Sequence, residues 1–188
     1  MNLPRRFSEV SGFVLAGGAS LRMGTDKASL LLGEKRLVDL QIHLMRAVCR
    51  SVAIIGPLAR FGGAGVQVYE DTIPCQGPLG GIYTGLRRAR TEFSLFLGCD
   101  MPLMEARFLR YLCRQARATP ALATVPPPSA GGRFPICMVL RRRALAKVFS
   151  SLESGQNQVA RFLLHTPRRA ITGRSFDARD FPLASLLT

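Results

Sequence analysis

Three short apolar runs, each followed at once by a glycine or acidic turn, most limit what this chain of 188 residues can fold into. The runs and their turns are 13–16 before Gly17-Gly18, 66–69 before Glu70-Asp71, and 93–97 before Gly98-Cys99-Asp100. Apolar residues also recur at helical spacing over 38–49 and 105–118. Strands that alternate with helices at short spacing predict an α/β protein with a mostly parallel sheet and helices on both faces.

The rest of the chain continues this alternation. Further strands are predicted over 30–32, 51–56, 121–125 and 133–140, and further helices over 78–90, 144–153 and 158–164. Residues 57–65 are predicted to form a loop, and the last twenty residues to be irregular. No linker or repeat divides the chain, so we expect a single domain over residues 1–188. Because ligands bind outside the carboxyl ends of parallel strands, the three turns should line one site.

Composition and charge narrow the classes of partner. Hydrophobic residues make up 47% of the chain, and no apolar stretch approaches the ~18–20 residues that span a bilayer. With no export signal either, we expect a cytoplasmic protein and no membrane partner. The net charge of +14 favours anionic partners such as nucleotides or phosphorylated cofactors. Nucleic acid is disfavoured, because the charge is spread along the chain and Trp, which would stack on bases, is absent.

The five cysteines are odd in number and show no CxxC spacing. Both observations disfavour a disulfide framework and a zinc site.

The segment LAGGASLRMGTDK, residues 15–27, carries the strongest chemical signal. It follows a predicted strand, and glycines such as Gly17 and Gly18 let backbone N–H groups approach an anion closely. Arg22 and Lys27 add positive charge to the same loop. The spacing differs from both GxGxxG and the P-loop. A phosphate-binding loop is the favoured interpretation, and an ordinary glycine-rich turn with two solvated basic residues is the alternative.

Two further segments place carboxylates after strands. Asp71 can accept hydrogen bonds from ribose hydroxyls or base N–H groups, and the glycines of GPLGG, residues 77–81, would let a ligand lie against the backbone. Asp100, in GCDMP, is placed to bind Mg²⁺, which prefers oxygen ligands and phosphate partners. Taken alone, GPLGG is better explained as a turn and helix cap, and Asp100 is equally compatible with capping the following helix.

Together, and in this order, the three segments resemble the nucleotidyltransferases of the molybdenum cofactor guanylyltransferase family. LAGGASLRMGTDK resembles the family signature LAGGxSxRMGxDK, GPLGG its GPLAG-type segment, and CDMP its CDxP segment. The resemblance covers residues 10–165. It implies a doubly wound, Rossmann-like fold, GTP and molybdopterin as substrates, and Mg²⁺ as cofactor. The implied reaction transfers GMP to the phosphate of molybdopterin and releases pyrophosphate.

The resemblance also implies roles for individual residues. Arg22 and Lys27 would neutralise the triphosphate and the leaving pyrophosphate, and Asp100 would bind the metal as a third catalytic residue. A molybdoenzyme or a cofactor-delivery protein is the implied protein partner. The residues implied to contact the nucleotide are Leu15, Ala16, Gly17, Gly18, Lys27, Asp71, Gly77, Pro78, Leu79, Gly80 and Asp100.

The chain departs from the family pattern in three places. The family's FxNxNTP tail has Ala178 and Asp180 in place of its two Asn, and Asp180 is retained as a second candidate metal ligand. Gly56 stands where an Asn often contacts the nucleotide, and Phe134-Pro135 replaces an HP pair. Two alternatives therefore stay open. One is the same fold with another nucleotide or acceptor, such as CTP or a sugar phosphate, and the other is a non-catalytic nucleotide- or cofactor-binding protein.

Overall fold

The computed structural model describes residues 6–17, 30–128 and 134–171. A seven-stranded sheet runs through the middle of this part of the chain, with the strand order β5-β4-β1-β6-β8-β7-β9. Its strands are β1 (Phe7–Leu15), β4 (Cys49–Ile55), β5 (Gln67–Tyr69), β6 (Phe93–Gly98), β7 (Ala123–Val125), β8 (Cys137–Arg141) and β9 (Arg168–Ala170). Only β8 runs antiparallel to its neighbours in this sheet. A separate hairpin is formed by β2 (Leu31–Leu32) and β3 (Lys35–Arg36).

Helices cover both faces of the sheet. They are α1 (Leu37–Arg46), α2 (Leu58–Phe61), α3 (Gly77–Arg88), α4 (Ala106–Arg117), α5 (Leu145–Glu153) and α6 (Val159–Leu164), with a 3₁₀ turn at Arg142–Ala144. Helices α1, α2 and α4 share one buried cluster with Val10 and Val14 of β1. Helices α3, α5 and α6 share the other with Phe13 and Leu15. Alternate residues of β1 therefore face two different helical layers, as expected for a strand buried on both sides.

The ends of the central strands are held in register by backbone hydrogen bonds. The N–H of Ala16 donates to Ile55 O at 2.9 Å, and the N–H of Cys99 donates to Leu15 O at 3.2 Å. The N–H of Gly56 donates to Tyr69 O at 3.0 Å. From β1 the chain adds β4 and β5 on one side of β1, and it then adds β6 on the other side of β1. A strand order that reverses in this way opens a crevice at the carboxyl ends, which is where doubly wound sheets bind ligands.

The predicted fold class is confirmed: the sheet is doubly wound, mostly parallel and covered by helices on both faces. Three local predictions were wrong. Strand β1 begins at Phe7, not at residue 13, because the buried hydroxyl of Ser11 is hydrogen-bonded by Thr91 Oγ1 at 2.8 Å. The predicted loop 57–65 contains α2, whose Phe61 is buried in the core. Within the last twenty residues, the chain forms the end of strand β9 on the sheet edge.

Among the described residues, no helix is long and apolar enough to cross a membrane.

Candidate functional site

The site is built where β1, β5 and β6 end. Residues Ala16 and Gly17 leave β1 between the ends of β4 and β6, with Ala16 buried and Gly17 exposed. Asp71 lies two residues beyond β5, and Asp100 lies two residues beyond β6. The three strand ends predicted to line one site therefore occupy the same edge of the sheet.

Asp71 lies between the end of β1 and helix α3. A Cβ atom added at Gly17 would be 3.9 Å from Asp71 Oδ2, and one added at Gly81 would be 3.5 Å from Asp71 Oδ1. The N–H of the next residue, Thr72, donates to Thr84 Oγ1 at 2.9 Å, and that hydroxyl donates to Gly80 O at 3.0 Å. Helix α3 thus fixes the backbone that carries Asp71, because Thr84 is a fully buried residue of this helix.

The Asp71 carboxylate has an acceptor that the protein leaves unused. Its Oδ1 atom is buried and has no hydrogen-bond partner among the described residues. Burial raises the pKa of the Asp71 carboxyl above its ordinary value. A buried polar atom without a partner normally costs about 1–3 kcal/mol. A ligand that donates a hydrogen bond to Oδ1 would remove that penalty, which is the behaviour expected of a nucleoside-binding carboxylate.

The GPLGG segment forms the first turn of α3. Gly77 has a φ of +58°, a left-handed conformation that favours glycine, and Pro78 follows within the first turn. The Leu79 side chain is fully buried in the core, so only its backbone could face a ligand. A Cβ atom at Gly80 would lie 2.8 Å from Gln76 Cβ, so this glycine accommodates the chain's own preceding loop. Nucleotide contacts by Gly77, Pro78, Leu79 and Gly80 stay a prediction.

Asp100 lies on an exposed turn directly after the buried strand β6. The turn is tied to helix α1, because the buried Gln41 Nε2 donates to Met101 O at 2.7 Å. Sequence reasoning did not single out Gln41. The available signal was a polar residue within the stripe of α1 that also contains Val38, Ile42 and Met45, all of which are buried.

The remaining predicted residues, Gly18, Arg22, Lys27 and Asp180, lie outside the described residues. So do Ala178 and the rest of the divergent tail, and their roles stay predictions.

The donor set at this edge fits a hard divalent cation. The carboxylate of Asp100 supplies oxygen ligands on the turn after β6, whereas that of Asp71 is the candidate acceptor for the nucleoside. Within residues 6–17, 30–128 and 134–171, no group of three or more His, Cys, Asp or Glu side chains could hold a metal. Magnesium suits such a sparse site, because it commonly uses one or two carboxylates together with substrate phosphates and water.

Comparison with known proteins places the chain among nucleotidyltransferases. Residues 12–170 match the family model described as the MobA-like NTP transferase domain. A molybdenum cofactor guanylyltransferase from Syntrophotalea carbinolica is 30% identical over 159 residues, which cover 81% of this chain and 73% of that protein. A probable molybdenum cofactor guanylyltransferase from Carboxydothermus hydrogenoformans is 36% identical over 99 residues. That match spans 53% of this chain and half the length of the relative.

Solved structures share the fold at low sequence identity. The molybdopterin-guanine dinucleotide biosynthesis protein A of Archaeoglobus fulgidus superposes with a TM-score of 0.77 at 16% identity, over 93% of this chain and 89% of that one. A Mycobacterium tuberculosis protein solved in complex with manganese superposes with a TM-score of 0.62 at 17% identity, over 87% and 88% of the two chains. These likenesses extend over nearly the whole described sheet and its helices.

Proposed function

Since the chain belongs to the MobA-like NTP transferase family of nucleotidyltransferases, we propose that it transfers GMP from GTP to the phosphate of molybdopterin, with Mg²⁺ as cofactor. One observation carries the site assignment. Asp71 Oδ1, which has no hydrogen-bond partner in the described part of the chain, lies beside the end of β1, on the sheet edge that also bears Asp100. The guanylyltransferase names of the relatives support the choice of GTP and molybdopterin.

The nucleotide would lie across the end of β1. Gly17 is exposed and has no side chain, so a ligand can contact the backbone there. Asp71 would accept hydrogen bonds from the nucleoside through Oδ1, an acceptor that has no partner among the described residues. Arg22 and Lys27, which follow Gly17 in the sequence, would neutralise the phosphates.

Asp100 would hold Mg²⁺ from the turn after β6. When bound, the metal offsets the charge of the phosphates and of the departing pyrophosphate. Gln41 keeps the Asp100 turn against helix α1, and this limits how far the carboxylate can move. Asp180 is proposed as a second carboxylate for the same ion.

The reaction is an in-line displacement. A phosphate oxygen of molybdopterin attacks the α-phosphorus of GTP, a new P–O bond forms, and the bond from the α-phosphorus to the bridging oxygen breaks. Pyrophosphate leaves with that oxygen and its electron pair. The protein contributes position and electrostatic stabilisation and forms no covalent bond to substrate. Lys27 and Arg22 balance the charge that develops on the leaving pyrophosphate. The product would then pass to a molybdoenzyme or a delivery protein.

The test is pyrophosphate release by the purified protein with molybdopterin and each of the four nucleoside triphosphates. We expect release with GTP and Mg²⁺, and almost none after Lys27→Ala or Asp100→Asn. Lys147→Ala, which removes a lysine from helix α5, is the matched control and should keep full activity. Release with CTP instead of GTP would overturn the guanylyl assignment. Nucleotide binding without any release would make this a binding protein.

A further inference from the structure

A second polar cleft is lined by β1, β4 and β5 and by residues at and beyond the end of helix α3. It has a volume of about 370 Å³, and its polar lining includes Ser11, Ser51 and Thr91 together with three arginines, Arg50, Arg88 and Arg90. Ser51 is near the amino end of β4, and Thr91 precedes β6. These parts of the cleft lie away from the turns that carry Asp71 and Asp100, whereas Tyr69, the last residue of β5, lines its other side.

Three connected hydroxyls form the inner wall of the cleft. Ser51 Oγ donates to Ser11 Oγ at 3.3 Å, and Thr91 Oγ1 lies 2.8 Å from both Ser11 Oγ and Phe93 O. Ser11 is only 5% exposed, whereas Ser51 at the outer end of the chain of hydroxyls is exposed. Hydroxyl groups rotate, so Ser51 can turn its hydrogen from Ser11 to a ligand in the cleft.

The arginines of the cleft have no counter-ions within the described part of the chain. None of Arg50, Arg88 and Arg90 forms an ion pair there, and no Asp or Glu lines the cleft. Arg88 stacks on Tyr69 with its guanidinium carbon 5.0 Å from the ring centroid, and it lies in the last turn of α3, where it offsets the helix dipole. That local role does not account for Arg50 on β4 or for Arg90 beyond the helix.

In the part of the chain that the structure describes, two arginines of a neighbouring cavity, unlike those of the cleft, donate hydrogen bonds to the protein itself. This cavity shares Arg90 and Thr91 with the cleft but also contains Glu92, which forms an ion pair with Arg141. Arg141 donates a further hydrogen bond to Thr119 O, and Arg143 donates to Pro120 O. Arg141 and Arg143 therefore hold the protein's own loops, whereas Arg50, Arg88 and Arg90 donate no hydrogen bond to a protein acceptor within the described residues.

We propose that the cleft binds the phosphate group of a small phosphorylated molecule, at a site separate from the nucleotide site. Its volume falls within the range of small-ligand pockets. Guanidinium groups match the geometry of phosphate oxygens, and hydroxyl donors against a buried wall complete such a site. This inference does not rest on the proposed function, because none of its arginines and hydroxyl residues is assigned to the nucleotide or the metal.

Residue-resolved NMR of the ¹⁵N-labelled protein tests the proposal, since separate amide signals report binding at the cleft and binding at the end of β1. The probes are inorganic phosphate, pyrophosphate and GMP, each titrated alone. We expect saturable shifts at Ser11, Ser51 and Thr91 with at least one probe. The probe that saturates at the lowest concentration identifies whether the phosphate comes from a free anion or a nucleotide.

Arginine variants make the test specific. Arg50→Ala and Arg90→Ala should each weaken the binding measured at Ser51 about tenfold, the size expected for a partly exposed charge-assisted hydrogen bond. Arg161→Ala, on α6, removes the same charge from another exposed position and should leave that binding unchanged.

Three results would overturn the proposal. The first is a set of shifts confined to Ala16 and Gly17. The second is a set of shifts that grow linearly with probe concentration and are reduced equally in all three variants. The third is binding of a random DNA duplex at the cleft that is tighter than the binding of any probe.

Discussion

The side-chain amide of Gln41 donates a 2.7 Å hydrogen bond to the backbone carbonyl of Met101, the residue that follows Asp100. Gln41 is 1% exposed, and its Oε1 atom has no hydrogen-bond partner among the described residues. A leucine at this position would avoid an unpaired buried acceptor, which costs about 1–3 kcal/mol. The amide therefore stabilises the Asp100 turn, although it leaves its own oxygen buried in helix α1 without a partner among the described residues.

The first prediction is that Gln41→Leu raises the Mg²⁺ concentration needed for half-maximal pyrophosphate release. The released turn would hold Asp100 less firmly, and we expect about a tenfold loss of rate at limiting Mg²⁺, equivalent to about 1.4 kcal/mol. Ile42→Val is the control on the same helix, since it costs about 0.5–1.5 kcal/mol of stability without touching Met101. Wild-type metal dependence in the Gln41→Leu variant would show that the hydrogen bond only stabilises the fold.

The second prediction concerns Gly17, where the protein has room for a side chain. Among the described residues, a Cβ atom there would meet its nearest neighbour, Gly56 Cα, at 3.7 Å, which is ordinary van der Waals contact. Gly17→Ala should therefore fold with nearly unchanged stability. It should weaken GTP binding about tenfold or more, because the added methyl group would repel a ligand that lies against the backbone. A tenfold loss of affinity corresponds to about 1.4 kcal/mol. Calorimetric titration with GTP measures the loss, and unchanged affinity would place the nucleotide away from the end of β1.

The third prediction is a pH dependence caused by Asp71. Because burial raises the folded-state pKa above the unfolded one, the folded protein holds this proton more tightly. The contribution to stability is present below the ordinary pKa of 3.8 and is lost as pH rises through the raised pKa. Asp71→Asn cannot titrate, so the variant should gain stability relative to wild type as pH increases across that window, while its GTP affinity falls. Urea unfolding at several pH values measures the difference, and a pH-independent difference would contradict the assignment.

The fourth prediction tests the packing of α3 on the sheet. A Cβ atom at Gly85 would lie 2.5 Å from Phe96 Cε1 and 3.1 Å from Phe13 Cγ, and these two rings are stacked with centroids 5.4 Å apart. Gly85→Ala should destabilise the protein by about 1–3 kcal/mol, the usual effect of overpacking a core. Gly63→Ala, with no atom within 4 Å of the added carbon, should change stability by less than about 0.5 kcal/mol. Equal urea midpoints for the two variants would show that α3 can shift away from the sheet.

Much of the fold could be predicted from the sequence, because strands that are buried on both faces consist of continuous runs of apolar residues. Phe93–Gly98 and the turn to Asp100 are an example, and the edge that carries the site follows from the parallel arrangement. The start of β1 could not be predicted, since the partner that satisfies Ser11 is Thr91, eighty residues away. The role of Gln41 could not be predicted for a similar reason, because it depends on the carbonyl of Met101 in a loop distant in sequence. Such pairings between distant residues leave no local periodicity.

The reversed direction of β8 has a consequence for how this architecture can diversify. Its first residue, Cys137, pairs with Leu97 near the end of β6, and Ile136 O accepts a 2.6 Å hydrogen bond from the N–H of Gly98. Strand β7 ends at Val125 on the same edge of the sheet, so the connection from β7 to β8 starts and finishes at the edge that carries the Asp100 turn. Connections between strands generally tolerate substitution and insertion better than the strands themselves do. Descendants of one ancestral enzyme could therefore exchange acceptor molecules by changing this connection, while the sheet and the strand ends proposed to bind the nucleotide stay as they are.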